Sequence, residues 1–228
     1  MDLSFLLFAL VGVAVAVGAW WQHHQRGKRR EALFALAHRH GLTYLRVDAL
    51  GLGDLPFRFL RRGDDRGVEN VVQGMLDGRP VALFDFWALH ESRDRTGRRS
   101  RRYERYTCAT AVVDDAWWPG MTIRPETALT RIGGAVGNRD LQFASDDFNR
   151  RWHVTCRDQR VAYAFVDARM MQWLLTAGSE FRFDVVGSHI LAVCDQLPPE
   201  RWLTLHLALA QFTERIPAVA RELYPLPD

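Results

Sequence analysis

Histidine and cysteine are the residue types in this sequence that are best suited to binding a transition metal. They form three short clusters: His23 with His24, His38 with His40, and His153 with Cys156. A structural zinc site takes four ligands, usually as two closely spaced pairs, and no cluster here has a second pair at suitable spacing. Residues two apart in a helix also point to different faces, so His38 and His40 would not share an ion. The sequence therefore predicts neither a metal site nor a cofactor.

Three acidic residues are candidates for proton transfer. Asp146 and Asp147 directly follow Ser145, a pattern typical of a helix N-terminus, where a hydroxyl caps and carboxylates meet the positive end of the helix dipole. Asp85 interrupts the apolar run of residues 81–89, where a carboxylate must face solvent or find a partner. We interpret Asp85 as one half of a structural ion pair with an arginine rather than as a catalytic group.

The short motifs of common enzyme classes do not occur in the sequence. His90 and Glu91 lack the second histidine of an H-E-x-x-H zinc-protease motif, and Gly51-Leu52-Gly53 lacks the third glycine of a dinucleotide-binding loop. A G-x-S-x-G nucleophile motif and a glycine-rich phosphate loop are also missing. We predict no catalytic residue, and an enzyme of another type stays an open alternative.

Positive charge in this chain comes almost wholly from arginine. The sequence has 30 basic and 27 acidic residues, and Lys28 is its single lysine, which is typical of a GC-rich coding sequence. The formal net charge of +3 and the pI near 9.0 therefore say little about partners. The informative question is where arginine is locally unbalanced by acidic residues.

One such place is the segment of residues 91–105, which contains seven arginines and three acidic residues. We interpret it as a solvated polar loop between two strands. The alternative is a loop that contacts either anionic lipid headgroups or a phosphorylated protein partner. We do not expect nucleic acid binding, because no aromatic platform accompanies the arginines. The candidate residues are Arg93, Arg95, Arg98, Arg99, Arg101, Arg102 and Arg105.

The N-terminal region contains an uncharged, apolar run of 19 residues, LSFLLFALVGVAVAVGAWW, at positions 3–21. As a helix it would be about 28 Å long, close to the thickness of the hydrocarbon core of a bilayer. The run ends in two tryptophans and is followed by cations, as is typical of a cytoplasmic membrane interface. These interface candidates are Trp20, Trp21, Arg26, Lys28, Arg29 and Arg30. We expect one transmembrane helix in the cell membrane, with the N-terminus outside and the C-terminal domain in the cytoplasm.

An exported protein with a cleaved signal peptide is the alternative interpretation of this run. A signal peptide carries positive charge before its apolar run and small residues at a cleavage site after it, and the order here is reversed. Within the run, Gly12 and Ala16, or Ala14 and Gly18, are four residues apart and would let two helices touch. We therefore also consider a homodimer.

The three cysteines, Cys108, Cys156 and Cys194, are far apart and odd in number. This spacing does not form a disulfide framework, so we expect three small apolar side chains in a reducing compartment.

Three segments are expected along the chain: the transmembrane anchor (residues 1–22), a basic flank and helix (residues 23–41), and one cytoplasmic domain (residues 42–228). Asp77-Gly78 and Gly187-Ser188 separate strand-like runs and predict two hairpins. Apolar residues at helical spacing predict a last helix from Pro199 to Ile216. This order of elements predicts an α+β fold, with antiparallel strands in hairpins or a meander and packed helices.

The middle of the chain predicts several shorter elements. Residues 103–113 are a strand candidate, residues 125–135 a helix, and residues 141–144 a short strand. Residues 160–176 have a helical pattern, with Asp167 as an internal cap.

Five short motifs stand out in the domain: NVVQG at 70–74, FDF at 84–86, DDFNRRWHV at 146–154, DARMMQWLL at 167–175 and RIP at 215–217. These motifs resemble those of a family of single-pass membrane proteins of unknown function from high-GC Gram-positive bacteria. The resemblance covers most of the domain and implies the layout of an anchor followed by a domain, without implying any site residue. Two positions depart from the family pattern: Trp152 stands in place of the usual phenylalanine and Ala168 in place of the usual proline.

The sequence thus favours a non-catalytic binding or scaffolding module at the inner membrane surface. Its expected partners are the lipid bilayer, anionic lipid headgroups or a protein. A membrane-associated enzyme of unrecognised type is the alternative, and we expect it to show a deep pocket with polar groups of perturbed ionisation.

Overall fold

The structure is a computed structural model that describes residues 3–93, 97–126 and 141–226. Its helices are α1 (Leu3–Arg39), α2 (Asp146–Arg151), α3 (Gln159–Phe165), α4 (Ala168–Ala177), α5 (Trp202–Glu214) and α6 (Ala218–Glu222). Its strands are β1 (Thr43–Val47), β2 (Asp65–Leu76), β3 (Arg79–Arg93), β4 (Arg99–Val112), β5 (Trp118–Pro125), β6 (Trp152–Cys156), β7 (Arg182–Gly187) and β8 (His189–Asp195). Short 3₁₀ helices span Leu52–Asp54, Arg58–Arg61 and Pro199–Arg201.

The eight strands form one antiparallel sheet in the order β1-β2-β3-β4-β8-β7-β5-β6. Two tight turns connect neighbouring strands, as predicted. Asp77 and Gly78 have φ angles of 51° and 76° between β2 and β3, a conformation that suits the twist of a two-residue hairpin. Gly187, with φ of 61°, begins the turn between β7 and β8. Both hairpin predictions are confirmed.

Helix α1 is a single helix of 37 residues. Leu33 and Ala37, near its C-terminal end, are buried against the sheet, and Gly41, with φ of 67°, follows the end of the helix. The apolar run of residues 3–21 therefore forms the first half of a longer helix whose second half packs on the sheet.

The predicted N-terminal transmembrane helix is corrected by this structure. Within the described residues, no helix is long and apolar enough to cross a membrane. The prediction treated residues 3–21 as an independent segment, whereas α1 continues through them without a break into the charged stretch that contains Arg26, Lys28 and Arg29. The predictions of a transmembrane helix and of a single-pass membrane protein are therefore wrong. The described chain is one eight-stranded antiparallel sheet with helices.

The two faces of the sheet are covered by different parts of the chain. On the helix-covered face, side chains such as Leu83, Phe183 and Val185 pack against the helices and form the larger core cluster. On the loop-covered face, side chains such as Phe84 and Phe86 form a second, smaller cluster. Alternate residues of β3 therefore enter different cores, as expected for a strand buried on both sides.

Capping residues fix where the helices on the first face begin. Ser145 Oγ accepts a hydrogen bond from the Phe148 amide at 3.2 Å, and Asp167 accepts one from the Met170 amide at 2.8 Å. Both predicted caps are confirmed. Asp167 also separates α3 from α4, so residues 160–176 form two helices rather than one.

The connection between β1 and β2 covers the second face. Asp48 accepts hydrogen bonds from the Leu52 and Gly53 amides at 2.9 and 2.8 Å, which fixes the start of this connection. Phe57 and Leu60, further along, are fully buried against β2, β3, β4 and β8. The part of this face formed by β5, β6 and β7 lies beyond the connection.

Four predicted elements differ from the structure or lie outside it. Residues 141–144 are not a strand, although Leu141 and Phe143 are buried. Strands β3 and β4 extend further than predicted, to Arg93 and from Arg99, because each continues to pair with the other. Most of the predicted helix 125–135 lies outside the described residues.

Candidate anion-binding cleft

A cleft of about 910 Å³ lies at the edge of the β1–β2 connection, over the uncovered part of the sheet. Its floor comes from alternate residues of β5, β6 and β7, including Thr122, Thr155 and Asp184. Its wall includes Pro56 and the 3₁₀ helix Arg58–Arg61. The volume is within the range of clefts that hold small organic ligands.

Among the described residues, six arginines and one acidic residue line the cleft. The acidic residue is Asp184. The arginines are Arg58, Arg61, Arg62, Arg124, Arg157 and Arg182. Three of them come from the connection between β1 and β2, and three from the strands or strand ends of the floor. An excess of cations in a concave surface concentrates positive potential there.

The Asp184 carboxylate accepts hydrogen bonds from other residues of the cleft. The Arg182 side chain donates to both carboxylate oxygens, through Nε at 3.1 Å and Nη2 at 2.9 Å. Thr122 Oγ1 donates to Oδ1 of Asp184 at 2.6 Å. Asp184 is 4% exposed, so this pairing satisfies a buried carboxylate and fixes the direction of the Arg182 side chain.

Phe59 links the wall of the cleft to its floor. The Arg182 guanidinium carbon lies 4.9 Å from the centre of the Phe59 ring, and that of Arg62 lies 4.4 Å from it. Arg62 also donates to the Tyr106 hydroxyl at 2.8 Å, and that hydroxyl donates to Glu104 at 2.9 Å. Two arginines of the cleft are therefore held in place before any ligand arrives.

The outer arginines have fewer partners. Arg61 donates to the Asp54 backbone carbonyl at 3.0 Å. Arg58 and Arg157 are exposed, and over the described parts of the chain no ion pair or side-chain hydrogen bond joins either one to another residue. These two guanidinium groups are available to an anion that enters the cleft.

The lining offers groups for binding and few for proton transfer. The described lining residues include no histidine, and the single carboxylate is paired with Arg182. Cys156 is the lining thiol, and burial raises its pKa, which disfavours the nucleophilic thiolate. Guanidinium groups with hydroxyls and apolar walls are the chemistry of anion recognition.

The predicted anionic-partner residues lie in a different place, on the β3–β4 hairpin. Arg93, Arg99, Arg101 and Arg102 are exposed strand residues, so most of the predicted loop is strand. Arg105 is half-buried and pairs with Glu69 at 2.9 Å. Arg98 lies beside β4, and Arg95 is outside the described residues. The structure brings none of the described residues of this set into the cleft.

The predicted membrane-interface residues divide into two groups along α1. Trp20, Trp21, Arg26 and Lys28 are exposed. The side chains of Arg29 and Arg30 instead turn toward Asp85 and Glu69 of the sheet.

Arg29 forms the ion pair that the sequence predicted for Asp85. Its Nε and Nη2 atoms each lie 2.7 Å from a carboxylate oxygen of Asp85, which confirms that prediction. Arg29 Nη1 also donates to the Leu197 carbonyl at 2.7 Å, and Asn70 donates to Asp85 at 2.9 Å. Arg30 lies 3.9 Å from Glu69. The two arginines thus attach α1 to the sheet.

The histidine and cysteine clusters are not assembled into a site. His153 and Cys156 pair with Arg124 and Met121, so they belong to opposite faces of β6. His153 Nδ1 lies 3.7 Å from Glu126. Within the described residues, no group of three or more histidine, cysteine or acidic side chains is placed to hold a metal ion. All three cysteines are free, as predicted.

Sequence reasoning missed the cleft, although its strands carried a signal. Thr122 and Arg124 alternate with apolar residues in β5, as do Arg182 and Asp184 in β7. His153 and Thr155 do so in β6, and Arg157, directly after that strand, continues the pattern. This alternation predicts a polar sheet face. The sequence did not show that these strands are neighbours, or that the connection containing Arg58 forms their wall.

The fold is similar to that in the crystal structure of the mycobacterial trehalose monomycolate transport factor A. The TM-score is 0.57, the identity is 15%, and the match covers 88% of this chain and 98% of that chain. The sequence matches no family model and no curated protein. The resemblance to a bacterial family therefore stays a prediction, and the structural similarity establishes a shared fold without assigning a role to any cleft residue.

Proposed function

We propose that this chain is a non-catalytic binding module whose cleft holds an organic anion with a phosphate group. The observation that carries this proposal is the lining of six arginines and one acidic residue, which Arg182 already pairs. Phosphate is the anion that arginine forks match best, through charge-assisted and often bidentate hydrogen bonds.

The shape and walls of the cleft support an organic ligand rather than a bare ion. Pro56, Phe59, Met121 and Val186 add apolar surface beside the arginines. A phospholipid headgroup with part of its glycerol and chains would suit such a lining. The structural neighbour is named as a transport factor, and a chain that binds a lipid-like molecule without altering it is compatible with a role of that kind.

Isothermal titration calorimetry with two probes tests the proposal. The probes are inorganic phosphate and a short-chain phosphatidylglycerol below its micelle concentration. We expect both to bind and the lipid to bind more tightly, because its glycerol and chains contact the apolar walls.

The variant Arg58→Ala/Arg157→Ala should weaken lipid binding by about tenfold or more, since hydrogen bonds to charged groups contribute roughly 1.5–3 kcal/mol each. Arg169→Ala, an exposed arginine on α4, is the matched control and should bind as the unaltered chain does. No binding of either probe, or equal affinities for the cleft variant and the control, would contradict the proposal.

A further inference from the structure

The far end of the β3–β4 hairpin, residues 91–93 and 97–102, is a second cationic surface, which we call the hairpin end. Every residue of it is exposed. Strand pairing continues to Arg93 and Arg99, so the arginines are held on a regular two-stranded ribbon. It is separate from the cleft, whose lining contains none of these residues.

Charge pairing on this ribbon is incomplete. Arg101 pairs with Glu91 at 2.8 Å, and Arg102 lies 3.6 Å from Glu104. Arg93 and Arg99, by contrast, are directly opposite each other in the register, and within the described residues neither has an ion-pair partner. Like charges directly opposite across a strand pair are destabilising. An external anion at this position would offset that repulsion.

Helix α1 directs a second group of cations toward the same end of the molecule. Its C-terminal end leads to Leu42, which lies beside Gly74, close to the turn between β2 and β3. Arg29 contacts Asp85 further along β3. Followed from its C-terminal end to its N-terminal end, α1 therefore runs along the sheet toward the hairpin end. The exposed Arg26 and Lys28 lie on the part of α1 that is nearer to the hairpin end.

Exposed aromatic side chains accompany these cations. Trp20 and Trp21 are 63% and 57% exposed, and Tyr103, at the base of the hairpin end, is 57% exposed. Tryptophan and tyrosine favour the headgroup region of a bilayer, where the ring is partly apolar and partly hydrated.

We infer that the hairpin end and the basic part of α1 together dock on an anionic bilayer surface. Cations dispersed along a ribbon and a helix suit a surface of many negative headgroups, which requires no fixed partner geometry. This inference is independent of the cleft, since it uses none of the cleft residues.

Vesicle co-sedimentation of the full chain tests the inference. One set of vesicles is phosphatidylcholine alone, and the other contains one third phosphatidylglycerol. We expect binding to the anionic set to be stronger and to fall as salt is raised, because salt screens surface charge. Since α1 also exposes Leu10 and Val13, the difference between the two vesicle sets is the informative quantity.

Charge reversal locates the contact. Arg93→Glu/Arg99→Glu should reduce affinity for anionic vesicles by about tenfold and leave binding to neutral vesicles unchanged. Arg160→Glu/Arg169→Glu, which alters two exposed arginines of α3 and α4 outside both the cleft and the hairpin end, is the matched control and should leave the affinity for anionic vesicles within about twofold of the unaltered chain. Since neither variant alters a cleft residue, failure here is distinguishable from failure of the cleft proposal. Circular dichroism confirms that each variant is folded.

Two outcomes would overturn the inference. The first is equal, salt-insensitive binding to both vesicle sets. The second is that Arg93→Glu/Arg99→Glu binds anionic vesicles as tightly as the unaltered chain does. That result would overturn the inference even if the hairpin end bound a phosphopeptide or RNA.

Discussion

Asp85 joins helix α1 to the middle of the sheet through one buried carboxylate. Its side chain is 2% exposed, that of Arg29 is 17% exposed, and Asn70 and Thr107 donate further hydrogen bonds to it. Asn70 has φ of 56°, at the irregularity between Glu69 and Val72 in β2, and this places its amide against Asp85. The left-handed backbone of Asn70 thus lets its side chain donate a hydrogen bond to the buried Asp85 carboxylate.

We predict that Asp85→Ala destabilises the protein by about 3–5 kcal/mol, because it leaves the Arg29 guanidinium partly buried without its counter-charge. Urea unfolding followed by circular dichroism measures the effect. Replacing both partners, as Arg29→Met/Asp85→Leu, should be less harmful than Asp85→Ala alone, since no unpaired charge remains. A double variant as unstable as the sum of the two single variants would contradict this account.

Tyr106 predicts a specific pH dependence. Burial, followed by the hydrogen bond to Glu104, raises the pKa of Tyr106 to about 12 from its ordinary value of 10.0. In the unfolded chain the hydroxyl loses its proton near pH 10, whereas in the folded chain it keeps the proton until about pH 12. Its contribution to stability is therefore complete below pH 10 and is lost as pH rises toward 12.

The test compares the unaltered chain with Tyr106→Phe between pH 9 and pH 12, roughly the window in which tyrosines titrate. The free energy of unfolding of the unaltered chain should fall more steeply than that of Tyr106→Phe over this window. Equal slopes would show that the hydroxyl is not held by burial and by Glu104.

At the scale of elements, the β1–β2 connection determines whether the cleft has a wall. Gly63 ends this connection with φ of 84°, and a Cβ atom there would lie 2.9 Å from the Leu89 carbonyl oxygen. That contact is with backbone, so it cannot be relieved by a side-chain rotation.

We expect Gly63→Ala to destabilise the protein by roughly 1–3 kcal/mol more than a glycine substitution that creates no clash. Gly51→Ala, in the same connection, is the matched control, because Gly51 has φ of 69° and open space around its Cβ position. That control should cost about 1 kcal/mol, for the left-handed backbone alone. Thermal unfolding of both variants measures the difference, and equal losses would mean that the close approach to Leu89 is unimportant.

Elements with strong local signals were predicted well from the sequence. The turns at Asp77-Gly78 and Gly187-Ser188 and the caps at Ser145 and Asp167 each depend on a few neighbouring residues. The extent of β3 and β4 was underestimated, because Arg93, Arg99, Arg101 and Arg102 were interpreted as loop residues, although cross-strand pairing keeps these four in strands. The residue pattern within one segment does not show which residues pair across two strands.

At the scale of the whole molecule, hydropathy misled the prediction of an N-terminal transmembrane helix. The run of residues 3–21 was interpreted without the helix that continues from it, and α1 extends to Arg39, where packing on the sheet determines its end. The sequence predicted that Asp85 forms an ion pair with an arginine, but it did not identify Arg29 as that arginine. Arg29 had been interpreted as a headgroup contact, because the sequence gives no distance between positions 56 residues apart.

The cleft is a property of the whole fold and not of any segment. Its arginines come from the β1–β2 connection and from β5, β6 and β7, which become neighbours only through the strand order of the sheet. The alternation of polar and apolar residues in those strands is typical of a polar sheet face, but it was not interpreted in that way from the sequence. The connection that contains Phe57 and Leu60 covers the other part of that face. Because the path of this connection could not be predicted from the sequence, the uncovered part could not be predicted either.

The most direct test of the cleft as the binding site is a nuclear magnetic resonance titration of the full chain with the short-chain phosphatidylglycerol. The account predicts that saturable shifts are confined to the cleft, in the amides of Thr122 and Thr155 and in the Nε–H signals of Arg58 and Arg157. The Nε–H signals of Arg93 and Arg99 at the hairpin end should stay unchanged at the same lipid concentrations. Saturable shifts at the hairpin end with none in the cleft would contradict the account.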